Sequence, residues 1–285
     1  MKHRRLYYIS LGVLLTVFLY FSYQIYIRTR QSLTVVFLDV GQGDSILISK
    51  GTTQILIDGG PSGKTELAKI GKYLPFSDRE IELIIATHPD KDHIGGLVEV
   101  ARNYKIGKVL ATAAEKDTAI FREWKEVINY NKIETLEVAR GDKINFGNAE
   151  LKVLNPPARI NPKVGEANSG SVVTRLDFGE NSFLFTGDIE SEAESKLAEI
   201  AEDLDIDYLK VAHHGSKHST SSEFLKAATP KEAIISAGKN NSYGHPHSET
   251  LARLEEQEVK VRRTDETGDI IYKCFKSKDQ CSIVE

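Results

Sequence analysis

Beyond residue 30, the chain first shows apolar residues in short runs interrupted by turns. Leu33–Val40, Asp44–Ser49 and Gln54–Ile57 each have the length and apolar content typical of β-strands. Ile81–Ala86 is a continuous apolar run, the pattern of a strand that is buried on both faces. The pattern therefore predicts short antiparallel strands followed by the interior strand of a larger sheet.

Strand and helix patterns alternate through the rest of the chain. The predicted strands are Glu150–Leu154, Ser171–Phe178, Ser182–Thr186, Tyr208–Ala212, Glu232–Ser236, Val259–Arg263 and Asp269–Cys274. The predicted helices are Thr65–Tyr73, Ile94–Asn103, Glu115–Tyr130, Glu190–Glu202, Ser221–Ala228 and Ser248–Gln257. Hairpins followed by strand–helix alternation favour an α/β fold in which sheets lie between helices. About 255 residues follow the N-terminal segment, enough for one such domain over residues 31–285.

The N-terminal residues 1–30 have a different pattern. Leu6–Ile27 contains no charged residue and has basic residues on both sides. A span of about 20 apolar residues can cross a bilayer as a helix, and tyrosines near its ends suit the interface. No small-x-small cleavage site follows, so an uncleaved single-pass anchor is favoured over a signal peptide. The basic N-terminus predicts an extracytoplasmic domain attached to the cell membrane.

The charge balance bears on possible partners. The formal net charge is −4, whereas proteins that bind nucleic acid through its phosphates are usually basic. This argues against tight nonspecific DNA binding but leaves a local basic surface open. Candidates for such a surface are Lys210, Lys217, Lys239, Arg262 and Arg263.

The two cysteines, Cys274 and Cys281, lie close together near the C-terminus. They are either unrelated or joined in a local disulfide. The disulfide becomes plausible if the domain lies outside the cytosol.

One loop concentrates metal-binding side chains. His88, Asp90, Asp92 and His93 follow the predicted strand Ile81–Ala86 directly. Alternate positions of an extended loop point to the same side, so several of these groups can converge on a cation. A helix cap would need only one aspartate. The cluster therefore predicts a metal site.

Three further clusters follow predicted strands, at the edge where α/β folds gather their active sites. Asp188 comes after Ser182–Thr186, and its two carboxylate oxygens could bridge two metals. His213 and His214 follow Tyr208–Ala212, and if that backbone is extended only one of them faces the site. His245 stands between Gly244 and Pro246, which restrict the local backbone.

Together these motifs resemble the metallo-β-lactamase superfamily. That resemblance implies a four-layer αβ/βα sandwich with a dinuclear metal site. The usual H-x-H-x-D-H motif stands here as H-x-D-x-D-H, with Asp90 in place of the second histidine, and Gly95-Gly96 follow. This variant is similar to the ComEC-type branch, which includes the nuclease domain of a competence DNA-uptake channel. The branch is further matched by FLDVGQGDS from Phe37, LIDGG from Leu56, NSGS from Asn168, TGD from Thr186, HHGS from His213 and YGHP from Tyr243.

The resemblance implies two divalent ions, zinc or manganese. One would be held by His88, Asp90 and Asp188, and the other by Asp92, His93 and His245, with Asp188 bridging. His213 is a further candidate ligand. Asp92 and His214 would take catalytic roles, with His214 able to protonate a leaving group. The superfamily often has another ligand histidine between these motifs; none occurs between His93 and His213, and Asn168 stands near that place. Supporting positions are expected at Asp39, Asp44, Asp58, Asn168 and Ser216.

The implied activity is hydrolysis by a metal-activated water. A phosphodiesterase or DNase is the leading hypothesis. The alternatives are a hydrolase of a small phosphodiester, a cell-wall phosphoester or a lactone, and a binding protein that keeps only the fold. Oxygen from Asp90 in place of histidine nitrogen shifts the preference from zinc towards manganese or magnesium, and zinc and manganese both stay open.

Overall fold

The structure is a computed structural model that describes residues 2–159, 168–199, 204–276, 278 and 280–284. The helices are α1 Lys2–Gln31, α2 Gly63–Tyr73, α3 Lys91–Asn103, α4 Ala119–Tyr130, α5 Ser191–Ala198, α6 Ser222–Ala228, α7 Ser248–Glu256 and α8 Thr264–Thr267. The first eight-strand set is β1 Ser32–Phe37, β2 Ile46–Lys50, β3 Thr53–Ile57, β4 Glu80–Ala86, β5 Lys105–Ala111, β6 Glu134–Glu137, β14 Ile270–Phe275 and β15 Ser282–Val284. The second set is β7 Lys143–Phe146, β8 Ala149–Asn155, β9 Val173–Phe178, β10 Asn181–Phe185, β11 Tyr208–Lys210, β12 Glu232–Ile235 and β13 Lys260–Arg263.

The two sets form two mixed sheets. The first has the order β15-β14-β1-β2-β3-β4-β5-β6, and the second has the order β13-β12-β11-β10-β9-β8-β7. Within the first sheet β3, β4, β5 and β6 run parallel, and within the second β10, β11, β12 and β13 run parallel. Each sheet therefore has a parallel part whose strands all end at one edge.

Apolar side chains make three cores that define four layers. One core lies between the sheets and joins residues such as Phe37 and Phe185. The second packs the other face of the first sheet against α2, α3 and α4, and the third packs the second sheet against α5, α6 and α7. In β1, Val35 and Phe37 join the first core and Val36 between them joins the second, as the two-residue period of a strand requires. The predicted αβ/βα sandwich is confirmed.

The N-terminal helix α1 covers the segment for which a transmembrane anchor is predicted. In the part of the chain that the structure describes, no helix is both long and apolar enough to cross a membrane. The predicted anchor over Leu6–Ile27, and the single-pass attachment that depends on it, are therefore not supported.

The structure also bears on the two cysteines and on the predicted helix Glu190–Glu202. Cys274 of β14 and Cys281 form a disulfide, which settles the alternative left open above. Helix α5 ends at Ala198, and residues 200–203 of the predicted helix Glu190–Glu202 lie outside the described residues.

Candidate metal centre

The candidate site lies where the strand ends of the two sheets meet. The loop after β4 begins with Thr87, whose carbonyl oxygen accepts from the amide of Val172, directly before β9 (2.9 Å). The loop after β10 contains Gly187, whose carbonyl accepts from the amide of His213, after β11, at 3.2 Å. Loops from both sheets thus bind each other directly. This brings together clusters separated by more than a hundred residues of sequence.

Asp188 is the centre of the cluster. Its carboxylate is 3% exposed. The Nε2 atoms of four imidazoles approach its Oδ2, at 3.3 Å from His93, 3.5 Å from His214, 3.8 Å from His213 and 3.9 Å from His88. Its Oδ1 is buried without a hydrogen-bond partner among the described residues. A carboxylate in this position offers both oxygens to cations beside it.

Three of these imidazoles have a polar contact at Nδ1, the ring nitrogen that does not face Asp188. His93 Nδ1 lies 2.8 Å from Asp58 Oδ2, and His214 Nδ1 donates to the carbonyl oxygen of Ser236 (3.0 Å). The Thr87 hydroxyl donates to Asp58 (2.7 Å), so it can accept from His88 Nδ1 at 3.0 Å. The Nε2 atoms of all three rings are buried and make no hydrogen bond within the described part of the chain. Anchoring at Nδ1 with Nε2 directed inward is the arrangement of metal-ligating histidines.

Asp58 contacts His93 and Thr87 on one side of the cluster. It follows β3 with φ of +57°, and its carboxylate accepts from the Thr87 amide (2.8 Å) as well as from the Thr87 hydroxyl and His93. The side chain is fully buried. The predicted supporting position Asp58 therefore fixes two imidazoles, one directly and one through Thr87.

Asp44 lies beside the ring of His214 on the other side of the cluster. Its Oδ1 lies 3.2 Å from His214 Nδ1, and its Oδ2 accepts from the ammonium group of Lys210 at 2.7 Å. Its backbone N–H donates to the carbonyl oxygen of Asp92 (3.2 Å). The Lys210 side chain is completely buried. The prediction that Lys210 belongs to an exposed basic surface is therefore wrong, because its charge is paired inside the fold.

A second group forms around Asp92. The Asp92 carboxylate is about one third exposed, at 34%, and lies 3.4 Å from His214 Nε2. Asp92, His93 and His214 can bring one ligand atom each to a common point, as can His88, His93 and Asp188. His93 belongs to both triplets, so the two groups overlap and together form one cluster of candidate ligands.

Both neighbouring histidines reach the site. His213 and His214 have φ values of +49° and +54°, in the left-handed region, instead of the extended backbone assumed above. The alternation that would turn one ring away does not apply there. Left-handed geometry in consecutive non-glycine residues is strained and is found mainly at functional sites.

The structure places the remaining predicted ligands further out. The His245 ring centroid lies 5.7 Å from that of His213 and 6.3 Å from that of His214, at the rim of the cluster. Asp90 caps α3, and its carboxylate oxygens accept from Lys116 at 2.6 and 2.8 Å. Asp90 is therefore not brought together with the other groups in this arrangement, and its role as a ligand stays a prediction.

Three predicted supporting residues are less directly connected to the imidazoles. Asp39 accepts from the Gly41 amide (3.3 Å) and lies 3.9 Å from Lys69. The carbonyl of Asn168 accepts from the Ser171 amide in the turn before β9, and the Ser171 hydroxyl accepts from the Asp188 amide (3.4 Å). Ser216 ends the 3-10 turn that carries the paired histidines. Asp39 thus lies away from the cluster, whereas the other two shape its loops.

The electrostatics fit a cation. Burial raises the pKa of Asp188, but the imidazoles of His214 and His93 outweigh it and hold that pKa well below its usual value. Burial lowers the pKa of His214, yet Asp188 and Asp44 raise it to about 9. Burial and neighbouring imidazoles lower the pKa of His245 to about 4. Without a metal, protons on the neighbouring imidazoles supply the positive charge that stabilises ionised Asp188. A divalent ion would displace these protons.

The orphaned Nε2 atoms, the ionised Asp188 and the mixed nitrogen and oxygen donors therefore fit the implied divalent ions. Fold and site together define an α/β sandwich protein with a candidate metal centre at the strand ends. The chain belongs to the metallo-beta-lactamase superfamily, whose family model matches residues 38–239.

Curated relatives identify the branch. ComE operon protein 3 of Bacillus subtilis is 33% identical over 257 residues, which cover 83% of this chain and 32% of that protein. Recombination protein 2 of Haemophilus influenzae is 32% identical over 244 residues, covering 85% of this chain and 29% of that protein. The chain thus spans about a third of the length of these relatives. The predicted resemblance to the competence-type branch is confirmed.

Solved structures share the fold at low identity. The metallo-beta-lactamase fold protein YhfI from Bacillus subtilis is 12% identical with a TM-score of 0.59, covering 85% of this chain and 100% of that one. CmlA, a diiron beta-hydroxylase from Streptomyces venezuelae, is 16% identical with a TM-score of 0.56, covering 81% of this chain and 52% of that one.

Proposed function

We propose that this protein is a metal-dependent phosphodiesterase that cleaves DNA. The observation that carries the proposal is the convergence of buried, unpartnered Nε2 atoms on Asp188. These ligand atoms fit a divalent metal centre, which metal-dependent hydrolysis requires. Membership of the superfamily supports metal-dependent hydrolysis, and the competence and recombination names of the relatives support DNA as the substrate.

Two divalent ions, zinc or manganese, would supply an activated water and neutralise a phosphoryl oxygen. His88, His93 and Asp188 would hold one ion, and Asp92 and His245 would contribute to the other. Asp58 and Asp44 hold the imidazole rings in orientation. His214 and the partly exposed Asp92 lie 3.4 Å apart, where they could accept and return a proton.

The disulfide supports an oxidising location for the domain. Disulfides persist in extracellular and periplasmic compartments and are rare in the cytosol. Cys274 lies in β14 and Cys281 directly precedes β15, so their bond joins the last two strands of the first sheet. We therefore place the domain, as part of this proposal, on the outer side of the cell membrane.

The test is a hydrolysis panel with the purified full chain, stripped of metal and reloaded with zinc or manganese. The substrates are single- and double-stranded DNA, bis-p-nitrophenyl phosphate and a lactone. DNA and the phosphodiester should be cleaved, and a chelator should abolish the cleavage. Asp188→Asn should lose activity by more than about 100-fold, beyond the loss typical of an outer partner of a ligand.

Asp117→Asn is the matched control, because that carboxylate is 93% exposed and lies outside the cluster. It should retain wild-type activity. Cleavage of the lactone without cleavage of DNA would contradict the proposal and would indicate a hydrolase of another ester. Metal binding without any hydrolysis would favour a binding protein that keeps the fold.

A further inference from the structure

An exposed aromatic ring lies at the rim of the metal centre. Tyr243 belongs to the loop between β12 and α7, and its side chain is 64% exposed. Its ring centroid is 5.8 Å from that of His245, and the two rings are nearly parallel at 22°. One ring face is therefore directed to His245, and much of the remaining side chain is accessible to solvent.

The loop holds this ring in a defined position. The Asn241 side chain accepts from the backbone amides of Tyr243 (3.1 Å) and His245 (3.0 Å). Its amide group also donates to the carbonyls of Gly238 (2.9 Å) and His245 (2.5 Å). A single side chain thus fixes both ends of the segment that carries the two rings.

The position of Tyr243 distinguishes it from other exposed aromatic side chains. Among the described residues beyond α1, the other two exposed aromatic side chains are Phe76, 91% exposed, and Tyr130, 88% exposed. Phe76 precedes β4, and Tyr130 ends α4, so both belong to elements other than the loop of His245. Tyr243 is adjacent in space to a ring that borders His213 and His214.

We propose that Tyr243 is a stacking platform for a nucleobase next to the phosphate that is cleaved. The inference rests on the proposed phosphodiesterase function and narrows its substrate class to nucleic acid with unpaired bases. In a nucleotide, one sugar separates the base from its phosphate. In the protein, one ring, that of His245, separates Tyr243 from the cluster. A phosphate at the cluster would therefore place the neighbouring base close to Tyr243. Aromatic side chains bind single strands by stacking because every base has a flat face.

The first experiment measures binding by the metal-loaded full chain. Oligothymidine that contains 2-aminopurine is titrated by fluorescence, and an oligomer of abasic residues of equal length is titrated by competition. The wild type should quench 2-aminopurine and should prefer the base-containing oligomer by about ten-fold. Tyr243→Ala should remove that preference, Tyr243→Phe should keep it, and the control Tyr130→Ala should not change it.

The second experiment compares hydrolysis of the two oligomers. Tyr243→Ala should raise KM for oligothymidine about ten-fold and leave hydrolysis of the abasic oligomer and the metal content unchanged. Equal losses on both oligomers would mean that Tyr243 merely covers His245, and this would overturn the proposal, as would an unaltered preference. Failure of the proposed function is a different result: the wild type then cleaves neither oligomer, and the binding experiment alone decides whether Tyr243 stacks on bases.

Discussion

Replacement of Lys210 by methionine should destabilise the domain more than almost any other single charge removal. The ammonium group of Lys210 lies 2.7 Å from Asp44 Oδ2, with side chains that are 0% and 2% exposed. At that distance and an effective dielectric of about 20, the attraction is about 6 kcal/mol. Desolvation of both charges offsets most of it, so the intact pair contributes little net stability.

The variant changes this balance because it removes only one partner. Asp44 would stay buried without the cation that lowers its pKa most, and only the imidazoles of His214 and His93 would still oppose the effect of burial on that pKa. The expected loss in the free energy of unfolding is about 3–5 kcal/mol. The double variant Lys210→Met/Asp44→Asn should recover most of it, because neither side chain is then charged.

Urea denaturation of the metal-free full chain measures both values. The matched control is Lys231→Met, since Lys231 lies 2.6 Å from Asp207 but has a side chain that is 60% exposed. That pair should contribute less than about 1 kcal/mol. A Lys210→Met variant within about 1 kcal/mol of the wild type would refute the reasoning, as would a double variant no more stable than the single one.

Three other changes test the fold and the support of the site. Reduction of the Cys274–Cys281 bond should lower stability by about 2–3 kcal/mol in urea denaturation, whereas the Cys274→Ala/Cys281→Ala variant should not respond to reductant. Burial raises the pKa of Glu66 to about 8, so this side chain should stabilise the fold below its ordinary pKa. The free energy of unfolding should then fall by about 1.4 kcal/mol per pH unit as the pH rises from the ordinary pKa of 4.5 towards 8. Glu66→Gln should remove this slope. Identical dependence of stability on pH in the wild type and the variant would contradict the assignment. Asp58→Asn should weaken metal affinity about 10–100-fold in competition with a chelator, and an unchanged affinity would show that Asp58 does not orient the ligands.

The sandwich was predictable because its strands and helices bury regular apolar faces. The apolar residues of β1 and the continuous apolar run in β4 are visible in the sequence. In the structure, successive apolar residues of these strands face the two cores on opposite sides of the first sheet. Strand β6 could not be found in this way, because every residue of Glu134–Glu137 is exposed. It is a strand because β5 offers it backbone hydrogen bonds in parallel register.

The site was predictable in its residue types but not in all of its contacts. The strand-end rule placed Asp188, His93 and His214 in one cluster, since those loops follow neighbouring or facing strands. The role of Lys210 was missed because a lysine is ordinarily exposed. The available signal was its place inside the apolar run Tyr208–Ala212, where a charge needs a buried partner.

The paired histidines show why two motifs that are separate in sequence form one structure. His214 is followed by Gly215 with φ of +83°, and a Cβ atom at Gly215 would lie 2.5 Å from the Cβ of Pro246. Glycine is thus required both by the backbone conformation and by the close approach of the His245 loop. The left-handed turn that directs both His213 and His214 inward is packed against that loop. Sequence patterns report the spacing of residues along the chain, whereas the contact between residues 215 and 246 joins loops that follow the neighbouring strands β11 and β12.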